Sequence, residues 1–209
     1  MRRIFLALFS VGLLASSACA ADKNPVVVME TSMGTIKIEL NQDKAPGTVK
    51  NFLAYVDDKF YDGTIFHRVI GKENDKKDFM IQCGGFTEER KEKKTKEPIK
   101  NEAGNSLSNT KYTIAMARTE EPNSATAQFY INVADNDFLD KNARSAGYAV
   151  FGKVIEGTEV VDKIKAVKTE EKKFTVPDPQ DATKTREATF PNVPVDNIVI
   201  KSIRRAESK

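Results

Sequence analysis

Apolar and polar residues alternate along Gly34–Leu40 (GTIKIEL): Ile36, Ile38 and Leu40 interleave with Thr35, Lys37 and Glu39, the two-residue period of a half-buried strand. Pro25–Glu30 (PVVVME) is a second strand-like run, and Thr31-Ser32-Met33-Gly34 supplies the turn that joins the two as a hairpin. The period then changes. From Ala45 to Asp58, Val49, Phe52, Leu53 and Val56 recur at helical spacing, with Pro46 in the first turn and Asp43 as the candidate N-cap. A shorter helix is predicted over Glu159–Val167, where Val160, Val161, Ile164 and Val167 share one face. Further strands are predicted at Thr64–Ile70, Phe79–Cys83, Tyr112–Ala117, Gln128–Val133, Tyr148–Ile155 and Asn197–Arg204. Many strands, two helices and few helical crossovers point to an antiparallel barrel or sandwich with helices packed at its ends.

Three polar stretches interrupt this pattern and are expected to be loop insertions. Gly71–Asp78 (GKENDKKD) is polar throughout, and Thr87–Glu97 holds five basic and four acidic residues in eleven. Residues 168–194 mix charges with Pro177, Pro179, Pro191 and Pro194. Because the middle run balances its charges, it reads as a solvated surface.

The first twenty residues follow different rules. Arg2 and Arg3, the apolar run Ile4 to Leu14 and Ala18-Cys19-Ala20 make a secretory signal with a small-x-small cleavage site. As a helix, that run reaches about 16 Å, roughly half a bilayer core, so no permanent membrane span is expected. The expected destination is the periplasm, with residues 21–209 as the mature domain. Cys19 opens an alternative in which the chain is cut before it and lipidated there, although Ser16 stands where a lipobox has an apolar residue.

The chain carries 33 Lys+Arg against 30 Asp+Glu. Removal of Arg2 and Arg3 with the signal leaves a net charge of about +1, so no nucleic-acid partner is expected. A single histidine, His67, and two distant cysteines exclude a His-rich zinc centre or a CxxC redox pair. Cys83 is left as a lone thiol and reads as a small buried apolar residue. Gly147–Lys153 has phosphate-loop spacing, but Val154 stands where Ser or Thr must ligate magnesium. No GxSxG elbow supports a serine triad on His67.

The pleat of three strands is more informative, because residues i and i+2 share a face. Phe66 pairs with Arg68, Met80 with Gln82, and Gln128 with Tyr130; Ile65, Val69, Ile81, Phe129 and Ile131 take the opposite faces. Each strand thus pairs a core-like face with one that sets an aromatic or thioether beside an amide or guanidinium. Converging, these second faces would form an apolar floor with hydrogen-bonding walls, as a ligand pocket requires.

Five ordered segments resemble the signature of the cyclophilin-type peptidyl-prolyl cis-trans isomerases: Phe66–Ile70 (FHRVI), Phe79–Gln82 (FMIQ), Ala115–Arg118 (AMAR), Gln128–Ile131 (QFYI) and Phe151–Val154 (FGKV). Ala45–Phe52 (APGTVKNF) is similar to that family's first helix. The likeness runs from about Val26 to Ile203 and, with the export signal, is greatest to periplasmic bacterial members. It implies a closed eight-stranded antiparallel β-barrel capped by two α-helices, with the site on the outer face. It also implies Arg68 as the catalytic guanidinium, Phe79, Met80, Tyr130 and Leu139 around the proline ring, and Gln82 on the peptide backbone. Phe66, His67, Ala117, Arg118, Gln128, Phe138 and Tyr148 would complete the groove, Arg118 mainly through its backbone.

The family departs from this sequence at several points. Residues 71–78 replace a short Pro-Gly link, Tyr130 adds a hydroxyl to a usual Phe, Phe138 stands where many eukaryotic members have Trp, and Cys83 replaces a usual Gly. The implied substrates are unfolded or extended proline-containing polypeptides, met by a monomer without metal or cofactor. The alternative is a module that holds such segments with little turnover.

Overall fold

The structure is a computed structural model and describes residues 24–206, apart from residues 74 and 76 and the side chain of residue 182. The predicted signal and Cys19 lie outside the described residues. The strands are β1 (Val26–Thr31), β2 (Gly34–Leu40), β3 (Thr64–Ile70), β4 (Met80–Thr87), β5 (Thr113–Met116), β6 (Phe129–Asn132), β7 (Val150–Glu156), β8 (Thr169–Asp178), β9 (Asp181–Pro194) and β10 (Val199–Arg205). Two helices, α1 (Pro46–Asp57) and α2 (Thr158–Lys165), follow β2 and β7.

Eight strands close an antiparallel barrel in the order β1-β10-β3-β4-β6-β5-β7-β2. Closure removes the unpaired sheet edges that would otherwise invite aggregation. Inward-facing residues such as Met29, Ile36, Ile38, Phe66, Val69, Ile81, Phe129, Ile131 and Phe151 form one packed interior with residues from both helices. Phe52 of α1 lies 5.2–5.3 Å from the rings of Tyr61, Phe129 and Phe151. Burying one such aromatic side chain contributes about 2–3 kcal/mol.

The start of α1 differs from the sequence expectation. Residues 41–45 form a turn in which Asn41 Oδ1 accepts from the Lys44 N–H, and the helix begins only at Pro46, beyond the reach of Asp43 as a cap. Ala45 occupies the cap position without a capping side chain. The Glu102 carboxylate takes over that role from a distant loop, accepting from Gly47 N at 3.0 Å, Thr48 N at 2.8 Å and the Thr48 hydroxyl at 2.7 Å. Orphan amides and the positive end of the helix dipole both favour an anion there.

Residues 168–194 are not a solvated loop. They form the β8–β9 hairpin, whose Phe174, Val176 and Val193 pack on Ile65 and Phe86 as a second apolar cluster outside the barrel. Residues 87–97 are clamped between barrel and hairpin, because Phe86 pairs with Glu92 and Lys91 pairs with Thr175. Lys93 adds a bond from its ammonium to the Phe60 carbonyl. The 71–78 segment is tied at its stem, where Asp78 accepts from Lys72 N and pairs with Lys165 of α2 at 3.0 Å.

Candidate active site

Cross-strand register sets one row of side chains on the outer face. Arg68 of β3 lies opposite Gln82 of β4, Gln82 opposite Tyr130 of β6, Tyr130 opposite Ala115 of β5, and Ala115 opposite Val150 of β7. With strands about 4.8 Å apart, Arg68 stands roughly 10 Å from Tyr130 along this row. Ile70, Met80, Ala115, Tyr130 and Val150 form a buried apolar floor, with Phe79, Leu107, Ala117, Leu139 and Tyr148 packed at its rim.

The polar groups flank that floor. Gln82 Nε2 donates to Gln128 Oε1 at 2.9 Å, which fixes both amides. Arg68 is half-buried, and burial pulls its pKa down from the ordinary guanidinium value while the Tyr148 phenol opposes the shift. No hydrogen bond or ion pair neutralises it among the described residues. The guanidinium stays protonated at any physiological pH, so the floor is bordered by a partly desolvated cation free to meet a ligand acceptor.

Two expected neighbours of Arg68 lie elsewhere. A bulge shifts the β3–β4 register between Phe66 and Arg68, and the even alternation of the pleat fails there. Phe66 consequently points into the barrel interior, while Ile65 points outward to the hairpin. His67 is only 3% exposed and is covered by Phe86 and Phe174 at ring separations of 4.8 and 6.5 Å. Burial pushes its imidazole pKa down to about 3, the Arg68 charge adding to the shift, with polar contacts to Ile65 and Gln128 opposing it. His67 therefore backs the groove as a neutral ring.

The far wall is aromatic. Phe138 is 56% exposed and stacks on Phe79 with ring centroids 5.6 Å apart. The Arg118 side chain is held in place: its guanidinium lies 4.3 Å from the Tyr148 ring centroid and donates to the carbonyls of Gly147, Thr119 and Glu120. It holds the Tyr148 segment against the start of the 118–124 loop. The Tyr130 hydroxyl does not enter the pocket, since it donates to Asn109 Oδ1 at 2.8 Å. Cys83 faces the interior, where burial pushes its thiol pKa well up and leaves it unreactive.

Sequence reasoning missed the layer beneath the floor. Asn109, Asn132 and Asn136 are buried and joined by their side chains, and Asn136 Nδ2 also donates to the Phe79 carbonyl at 2.8 Å. No sequence period marks them, because two lie in loops and their partners are 4–57 positions away.

Comparison with known proteins places the fold in a known family. Residues 26–187 match the family described as "Cyclophilin type peptidyl-prolyl cis-trans isomerase/CLD". The chain is 47% identical over 205 residues to peptidyl-prolyl cis-trans isomerase A of Dickeya dadantii, covering 97% of each chain. It is 58% identical over 158 residues to a peptidyl-prolyl cis-trans isomerase of Acinetobacter baylyi, covering 76% of this chain and 80% of that one. A crystal structure of a Cryptosporidium parvum cyclophilin-type isomerase in the presence of the dipeptide Ala-Pro superposes with a TM-score of 0.64. That pair shares 25% sequence identity, and the match covers 88% of this chain and 99% of the other.

Proposed function

The chain belongs to the cyclophilin-type peptidyl-prolyl cis-trans isomerases, and from that premise we propose that Arg68 stabilises the twisted amide of an X-Pro bond held over the outer-face floor. The observation that carries this reading is the uncompensated, half-buried guanidinium in register with Gln82 and Tyr130. Rotation about X-Pro faces a barrier of about 18–20 kcal/mol because twisting breaks amide resonance. The twisted proline nitrogen regains a lone pair and accepts a hydrogen bond that neither planar isomer accepts. A donor placed for that lone pair binds the transition state more tightly than the ground states, which is the requirement for rate acceleration.

The other groups bind without discriminating. Met80, Tyr130, Phe79 and Leu139 would hold the proline ring, and Gln82, oriented by Gln128, would hold the backbone. Phe138, Ala117, Arg118 and Tyr148 would shape the channel for the preceding residues, with His67 behind them. The only bond that changes is a torsion, so no proton moves to or from the enzyme. Between pH 6 and 8 the rate is therefore flat, since Arg68 stays charged and His67 titrates at about 3. An inflection near pH 6.5 in kcat/KM would overturn this account.

The biological setting follows from Arg2-Arg3, the apolar run to Leu14 and Ala18-Cys19-Ala20: the enzyme serves exported polypeptides during folding. Among the described residues, no helix is long and apolar enough to cross a membrane. Mass spectrometry of the protein purified after export distinguishes an N-terminus at Ala21 from a lipidated Cys19. Full-length protein retained in the cytoplasm would refute export.

A further inference from the structure

Asn109 uses every polar group it has. Its backbone N–H and its Nδ2 both donate to Asp140 Oδ1 at 2.8 Å, and its Oδ1 accepts from the Tyr130 hydroxyl at 2.8 Å and from Asn132 Nδ2 at 3.2 Å. Nδ2 reaches the Tyr148 carbonyl at 3.4 Å, and the Asn109 carbonyl accepts from Asn136 N at 2.8 Å. Each partner carries a wall of the site. Tyr130 is in the floor, Tyr148 is at the rim, Asp140 directly follows Phe138 and Leu139, and Asn136 directly precedes their 3-10 turn at Asp137–Leu139. The Tyr148 N–H also donates to the Leu139 carbonyl at 2.9 Å, which closes the circuit.

We propose that Asn109 is a positioning residue that sets the width of the prolyl pocket by tying the Tyr130 floor, the Tyr148 rim and the Leu139 wall to a single buried amide. The proposal rests on the reading of this face as the prolyl-binding site. Asn109 is fully buried, so it touches no substrate and acts only through those three residues. An amide suits the task because it donates and accepts at once. A carboxylate there would face the Asp140 carboxylate, and an alkyl group would leave the Tyr130 hydroxyl and an Asn132 amide hydrogen without this acceptor.

The pocket holds the proline ring equally in the planar and twisted states, so loosening it weakens binding without altering the torsional barrier. The test measures kcat and KM for a short X-Pro peptide, per folded molecule, with purified wild type and five variants. These are Asn109→Ala, Asp140→Ala, their double, Asp140→Asn and Arg68→Ala. Asn109→Ala and Asp140→Ala are each expected to raise KM about fivefold, the worth of one net hydrogen bond, with kcat within about twofold. The double should fall short of the product of the two single effects, because both changes remove the bond from Asn109 Nδ2 to Asp140. Asp140→Asn, whose amide oxygen still accepts both N–H groups, should bring KM back to within about twofold of wild type. A folded Asn109→Ala with wild-type KM, a double whose effects multiply, or a loss confined to kcat would overturn the proposal. If Asn109→Ala does not fold, the Asp140→Ala and Asp140→Asn pair decides alone, equal KM values counting against it. Arg68→Ala separates the two levels: unchanged kcat there refutes the site itself, whereas a slow Arg68→Ala beside a normal Asn109→Ala refutes only the positioning role.

Discussion

Arg68 and His67 are adjacent in sequence and opposite in behaviour, because one keeps a path to solvent and the other does not. The guanidinium is half-buried and remains charged, while the imidazole lies under Phe86 and Phe174 and stays neutral. His67 has a consequence for stability. Its folded pKa of about 3 lies below the ordinary 6.5, so below pH 6.5 the unfolded chain binds a proton that the fold excludes. Its contribution is present above pH 6.5 and falls as pH drops toward 3, by up to about 1.4 kcal/mol per unit. Urea unfolding at pH 7 and pH 5 should register this loss, and His67→Gln should abolish it. The carboxyls of Asp57 and Asp62, held down by Arg205 and Arg204, add their losses only below about pH 3.8, outside that comparison. Tyr130→Phe is expected to cost about 1 kcal/mol, since Asn109 Oδ1 keeps only the Asn132 bond; thermal melts check this. Arg68, Gln82 and Met80 were readable from the pleat because their strands alternate regularly there. Phe66 was not, since a bulge is a property of two paired strands and leaves no mark in one.

At the scale of elements, long-range contacts decide what local pattern leaves open. The period of α1 was plain in Val49, Phe52, Leu53 and Val56, yet its cap comes from Glu102, 54 positions beyond Thr48. Glu102→Ala should destabilise the protein by about 1–2 kcal/mol, with chemical denaturation as the check. An unchanged midpoint would show that solvent satisfies Gly47 and Thr48 as well. The β8–β9 hairpin was hidden for a different reason. Its strands are polar on their solvent face and hold three prolines, with Pro179 in the turn between them, and the alternation at Phe174-Thr175-Val176 is too short to stand out from charged neighbours. Prolines fit because register shifts near Glu170–Lys172 and Pro177–Asp178 relax the pairing. Phe174→Ala should cost on the order of 3 kcal/mol and uncover His67, whose imidazole pKa then rises toward 6.5 in an NMR titration.

The whole molecule places a rigid outer row on a closed barrel. Five strands in fixed register carry Arg68, Gln82, Tyr130, Ala115 and Val150, the interior behind them is packed, and the asparagine layer holds the rim. A torsional reaction asks for little more than this: a floor for the ring, a grip on the backbone and one cation facing the nitrogen. The barrel and its two helices were legible as eight strand runs and two helical periods, while the order of strands around the barrel depends on pairings that no single run encodes. The measurement that tests the account most directly is kcat and KM of Arg68→Ala against wild type on an X-Pro peptide, with folding verified by circular dichroism. The account predicts a kcat lower by about 100-fold, some 2.7 kcal/mol of transition-state stabilisation, and a KM within about threefold. A folded Arg68→Ala that turns over within threefold of wild type would contradict it.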